Sequence, residues 1–154
     1  MPTIFSHVAV PIATSLGVGK IVSRRLLFFA AFCAILPDLD TIGFKLGIAY
    51  ASQWGHRGFT HSIAFAVLVA LLAMCFARPL KSRAWVVFLL TFIAVVSHPL
   101  LDMLTSGGLG VALYWPYSNE RVFFDYRPIA VSPIGIANFF SARGWRVIQS
   151  ELLW

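Results

Sequence analysis

Charge is what this chain has least of. Only 12% of its 154 residues are Asp, Glu, Lys or Arg, against about 25% in a soluble domain. Hydrophobic residues make up 59%, and the mean hydropathy is +0.82. This shortage excludes an ordinary water-soluble domain and points to one integral membrane domain spanning residues 1–154. Cysteine is almost missing as well. Cys33 and Cys75 each lie in an apolar run without a Cys-x-x-Cys pairing, so no disulfide and no structural thiolate site is expected. No Lys or Arg precedes Lys20, so the basic start of a signal peptide is absent and the N-terminus is expected to stay in the mature protein. There is no internal repeat, low-complexity tract or second domain. The net charge of +6 comes from bases gathered at the ends of apolar runs; they act as topology signals, and no direct nucleic-acid binding is expected.

What the chain does have is a series of apolar runs. Ile4 to Gly19 covers about 16 residues, Leu26 to Phe44 covers 19, Phe59 to Ala77 covers 19, and Ala84 to Leu101 follows. A hydrocarbon core about 30 Å thick takes about 20 helical residues. The expected fold is therefore all-α: an integral membrane bundle of about four transmembrane helices. The first is short and needs a thinned bilayer or a cap in the headgroups. Pro37 should break or kink the second. The third, Phe59 to Ala77, is the clearest span. Lys45 to Gln53 reads as a loop. Beyond Asp102 stand Tyr114-Trp115-Pro116-Tyr117, of the kind found at membrane interfaces, and a charged patch holding Glu120, Arg121, Asp125 and Arg127. Pro128 to Phe140 is too short to span and reads as re-entrant or interfacial, and Ser141 to Trp154 as a helix lying on the membrane.

Polar residues inside these runs need a reason, because a charged side chain at membrane depth costs roughly 2.5 to 3.5 kcal/mol. Lys20, Arg24 and Arg25 join the first two runs, and Arg78, Lys81 and Arg83 join the third and fourth. Placing both basic groups in the cytoplasm puts His7, Asp38, Asp40, His56, His61, His98 and Asp102 at the opposite, outer end of the bundle. Those seven include all four histidines and three of the six acids. His98 and Asp102 are four apart and share a helix face. His56 and His61 are five apart, about 140° around a helix, so His56 must lie in the loop before the third run, with Thr60 or Ser62 as the N-cap. Imidazole with carboxylate suits zinc first, and also manganese or iron. Seven candidate ligands exceed what one tetrahedral ion takes, so two or more ions are plausible. Arg57 is a candidate for holding an anionic substrate group; Arg121 and Arg127 are weaker candidates for the same role and read first as interfacial charges.

These elements carry a resemblance. With His7, Pro37-Asp38-Leu39-Asp40, His56-Arg57-Gly58-Phe59-Thr60-His61-Ser62, His98 to Asp102 and Trp115-Pro116, the chain resembles the bacterial and archaeal family described as LexA-regulated, inner-membrane-associated metal-dependent hydrolases. It is more distantly similar to zinc-dependent phospholipases C and S1/P1-type nucleases. The resemblance implies Asp38, His56, His98 and Asp102 as leading metal ligands, with His7, His61 and Asp40 beside them. It also implies a multi-pass inner-membrane location. Phosphatidic-acid-phosphatase-type enzymes are excluded, because no Arg stands just before His98 and no Pro-Ser-Gly-His exists. The expected function is metal-dependent hydrolysis of a phosphodiester or ester in a lipid-like substrate at the outer face. Asp40 would serve as proton acceptor. The alternative is a non-catalytic membrane protein with a structural or transport metal site.

Overall fold

The structure is a computed structural model, and it describes residues 2–132 and 141–153. Among the described residues five α-helices run in order: α1 (Ile4–Val18), α2 (Arg24–Ile35), α3 (Ile63–Met74), α4 (Ala84–Met103) and α5 (Ala142–Leu152). A long 3-10 segment, Leu36–Leu46, continues α2, and a single 3-10 turn, Phe59–His61, leads into α3. Among the described residues β-structure is limited to two isolated bridges, Thr105 with Ile129 and Val111 with Val122. The switch from α to 3-10 falls at Pro37, which lacks the N–H needed to continue the α-helical ladder.

Among the described residues three segments are long and apolar enough to cross a membrane: Ile4–Ile21, Arg24–Leu46 and Ala84–Met103. The third apolar run differs from the expectation of a 19-residue helix over Phe59 to Ala77. Its helix, α3, has 12 residues, about 18 Å of rise. Ser62 is the reason at one end: its Oγ accepts from the Phe65 N–H and donates to the Phe59 carbonyl, starting the helix there and leaving His61 outside it. At the other end the chain folds into turns. Cys75, Phe76 and Ala77 bond back by three residues, and Lys81 takes a left-handed φ of 51°.

α4 is the central helix and packs against α1, α2 and α3. Its buried stripe, Val87, Leu90, Ala94 and Val95, recurs at three- and four-residue spacing and continues straight into His98 and Asp102. The facing stripes are small: Ala30 and Ala34 on α2, Ala66, Ala70 and Ala73 on α3. Small residues let helix backbones approach closely in the absence of a hydrophobic driving force from water. The two basic turns meet at one end, where Ser23 Oγ donates to the Leu80 carbonyl and Arg25 Nη1 donates to the Pro79 carbonyl. The polar layer occupies the other end.

α5 starts at Ser141, whose Oγ accepts from the Gly144 N–H. It buries Val147 and exposes Trp145, Leu152 and Leu153. Glu151 reaches the start of α1, accepting from the Thr3 N–H and from the hydroxyls of Thr3 and Ser6. Of the Pro128 to Phe140 stretch, residues 128–132 run without helix. The re-entrant reading falls otherwise on 133–140, outside the described residues.

Candidate metal centre

The α4 stripe delivers His98 and Asp102 fully buried. His98 Nδ1 lies 2.7 Å from the Ala34 carbonyl. A carbonyl only accepts, so Nδ1 carries a proton and donates to it, which turns Nε2 towards the polar layer. That Nε2 lies 3.3 Å from Asp38 Oδ1. α1 places His7 flat against His98, with ring centroids 3.6 Å apart and planes 9° from parallel.

The Trp54 to Ser62 stretch supplies the other side. His56 Nδ1 lies 2.6 Å from Asp40 Oδ1. Asp40 Oδ2 accepts from the Arg57 N–H at 3.1 Å and the Thr60 hydroxyl at 2.6 Å, with His61 Nδ1 at 3.2 Å. Both Asp40 oxygens are thus taken by the motif it holds. The carboxylate orients His56 and His61 through their Nδ1 atoms, the usual arrangement behind a metal-binding imidazole. His61 Nε2 in turn faces Asp38 Oδ1 at 3.8 Å and Asp102 Oδ2 at 3.5 Å.

Two triads result. One ligand atom each from His7, His98 and Asp102 lies within 4.8 Å of the others, and the same holds for Asp38, His56 and His61. The seven residues singled out in the sequence are all here, but Asp40 stands behind the triads. A cation fits this donor set. Both nitrogens of His7, both oxygens of Asp38, and the Nε2 atoms of His61 and His98 are buried without a hydrogen-bond partner among the described residues. An unsatisfied buried polar atom costs about 1–3 kcal/mol. Where His98 Nε2 faces Asp38 Oδ1 at 3.3 Å, a positive charge is called for, supplied by a proton on the ring or by a bound cation.

Arg57 is turned inward. It is fully buried, with Nε 3.0 Å from Asp102 Oδ2, Nη1 donating to the Gly107 carbonyl and Nη2 to Thr105 Oγ1. Its backbone sits at φ 64°, a left-handed conformation uncommon for a residue other than glycine. Its guanidinium is occupied by these groups, which makes it a holder of Asp102 rather than an anion hook. Gly58 beside it is required by space: a Cβ there would lie 2.2 Å from the Gln53 carbonyl oxygen.

The model of the YdjM inner membrane protein family matches residues 1–154. The chain belongs to that family. Inner membrane protein YbcI of Escherichia coli (strain K12) is 43% identical over 159 aligned residues, covering all of this chain and 90% of that relative. No solved structure matches significantly.

The inner-membrane setting of the YdjM family gives the polar layer its meaning. Each of the three described segments long and apolar enough to cross a membrane contributes to it: His7 from the first, Asp38 and Asp40 from the second, His98 and Asp102 from the last. Intramembrane ionisable residues face partners or cavities, and here they face one another. Sequence reasoning missed Thr105, which is fully buried and donates to the Asp102 carbonyl at 2.7 Å. It also missed Tyr50, whose ring centroid lies 5.3 Å from that of His56. No spacing rule connects either to the site. Arg121, read as an interfacial charge, instead donates to carbonyls of the loop carrying His56, and its burial lowers its pKa from the usual arginine value. Arg127 lies over the Phe123 ring at 4.9 Å. Trp54, Phe59 and Trp115 form an aromatic cluster at the same end, with centroids 4.9 to 6.3 Å apart.

Proposed function

We propose that this chain is a membrane-bound metal-dependent hydrolase. It would hold one or more divalent ions, zinc first and manganese or iron as alternatives, between His7, Asp38, His56, His61, His98 and Asp102. The observation that carries the reading is the convergence on Asp102 of the buried imidazole nitrogens of His7, His61 and His98 and the carboxylate oxygens of Asp38, drawn from three apolar segments and one loop. A divalent ion supplies Lewis acidity and activates water for hydrolysis near neutral pH. The chain's own groups do the rest. The Ala34 carbonyl fixes the His98 tautomer, Asp40 sets His56 and His61, and Arg57 holds Asp102 in place.

What supports a lipid-like substrate is the surface beside the site. Asp38 is the least enclosed of the ligand side chains, at 12% side-chain exposure, although its oxygens face inward. Around it on the 3-10 segment Leu39, Ile42 and Phe44 are exposed. An apolar surface next to a buried polar centre suits a phosphodiester or ester in a lipid-like molecule entering from the bilayer. The basic turns at the far end support a site facing the extracytoplasmic side, by the positive-inside rule.

The test is elemental analysis of the detergent-purified protein beside a His56→Ala, His98→Ala double variant, followed by turnover on phospholipids and soluble phosphodiesters. Stoichiometric metal lost in the variant, with hydrolysis lost alongside, is the expected result. Metal without hydrolysis on either substrate class would favour a structural or transport site. Metal-free, well-folded wild type after resupply would refute the centre.

A further inference from the structure

We infer that Arg121 is a positioning residue of this centre, acting through His56 from an element far along the chain; the inference rests on the metal reading above. Its Nη1 donates to the His56 carbonyl at 2.9 Å, and its Nη2 donates to the carbonyls of Tyr50 and Ser52, each at 2.9 Å. One guanidinium therefore gathers three carbonyls of the loop that ends in the His56-Arg57 pair. The guanidinium also lies 5.7 Å from the centroid of the Tyr50 ring, whose edge of the loop faces His56.

A half-open cleft of about 360 Å³, lined by Ala51, Gln53, Ala112, Asn119 and Arg121, lies against this side of the loop. Hydrogen bonds from the segment after α4 hold the loop across it. The Ala112 N–H donates to the Arg57 carbonyl, and the Val111–Val122 bridge fixes Arg121 against the same segment. His56 is then braced at two points. Asp40 holds its ring and Arg121 holds its carbonyl. A planar fork with several donors on fixed vectors can serve three carbonyls at once, whereas an ammonium is a point charge on a flexible stem.

The experiment is cobalt(II) binding to detergent-solubilised full-length protein, read by competition titration and by the visible absorption of the bound ion. It compares wild type, Arg121→Ala, Arg121→Lys, His56→Ala and the Arg121→Ala, His56→Ala double variant. Arg121→Ala should bind cobalt about 10–100-fold more weakly, the usual loss when a group supporting a ligand is removed, with an altered absorption band. Arg121→Lys should fall with it and decides the matter if the alanine variant fails to fold. In the His56→Ala background, Arg121→Ala should bring no further loss, because groups acting through one another are not additive. Wild-type affinity and spectrum in either Arg121 variant would overturn the inference, as would an equal loss in both backgrounds. Wild type that takes no cobalt would refute the centre itself and this inference with it.

Discussion

Asp40 Oδ1 lies 2.6 Å from His56 Nδ1, while Oδ2 of the same carboxylate receives the Arg57 N–H and the Thr60 hydroxyl. A side chain from the 3-10 continuation of α2 thereby organises the whole turn that precedes α3.

Replacing Asp40 with Asn puts an N–H₂ where one of two acceptor oxygens stood, so either His56 or the Arg57–Thr60 pair meets a donor. Asp40→Asn should insert and retain its helical circular dichroism while metal affinity falls about 10–100-fold. Equilibrium competition against a chelator measures this, and unchanged affinity would remove Asp40 from its orienting role.

Arg57 and Asp102 are both fully buried. Taking away one partner of a buried pair strands the other charge, at a cost of about 3–5 kcal/mol. Arg57→Ala should show that loss in denaturant titrations of metal-free protein in micelles. Arg57→Lys should recover little, because Nε, Nη1 and Nη2 each have a different partner. A lysine variant as stable as wild type would show that charge alone suffices.

Gly58→Ala drives a Cβ to 2.2 Å from the Gln53 carbonyl oxygen and 2.8 Å from that of Gly55. The turn must open, with an expected loss of about 1–3 kcal/mol and of metal affinity. Gly17→Ala on α1 is the control: a Cβ added there meets nothing within 4 Å, and alanine in a helix gains about 0.5–1 kcal/mol over glycine. Thermal unfolding of the two variants should move in opposite directions.

Glu151→Ala removes the acceptor shared by Thr3 and Ser6. Bonds to a charged group contribute about 1.5–3 kcal/mol each, so the first turn of α1, which carries His7, should loosen. Hydrogen exchange should quicken at the amides of residues 4–7 and stay slow in the middle of α4. Protection equal to wild type at residues 4–7 would show that α5 does not secure that turn.

Much of the bundle could be read from the sequence because hydropathy and charge act locally. α1, α2 and α4 lie close to the expected apolar runs, Pro37 marks the break in the second, and Ser62 starts the helix after His61. The gathering of polar groups at one end followed from the two basic turns, which do meet at the other. The shortness of α3 was hidden, because an evenly apolar run has no periodic marker for where a helix stops. The inward turn of Arg57 was hidden too, since its partners Asp102, Thr105 and Gly107 lie 45 or more residues away. Asp40 and Asp38 are alike in sequence. What separates them is that Asp40 finds His56, Arg57 and Thr60, and Asp38 finds His61 and His98.

The polar layer draws on residue 7 at one extreme and residue 102 at the other, and its braces run on to Thr105, Arg121 and Glu151. A nascent chain therefore inserts its first helices with His7, Asp38 and Asp40 lacking most of their eventual neighbours. The layer can close only after α4 has left the insertion machinery and the segment behind it has folded back. Completion of the polar layer therefore waits for the segment after α4, and a chain truncated before residue 98 would sit in the bilayer with its acids and imidazoles unmatched.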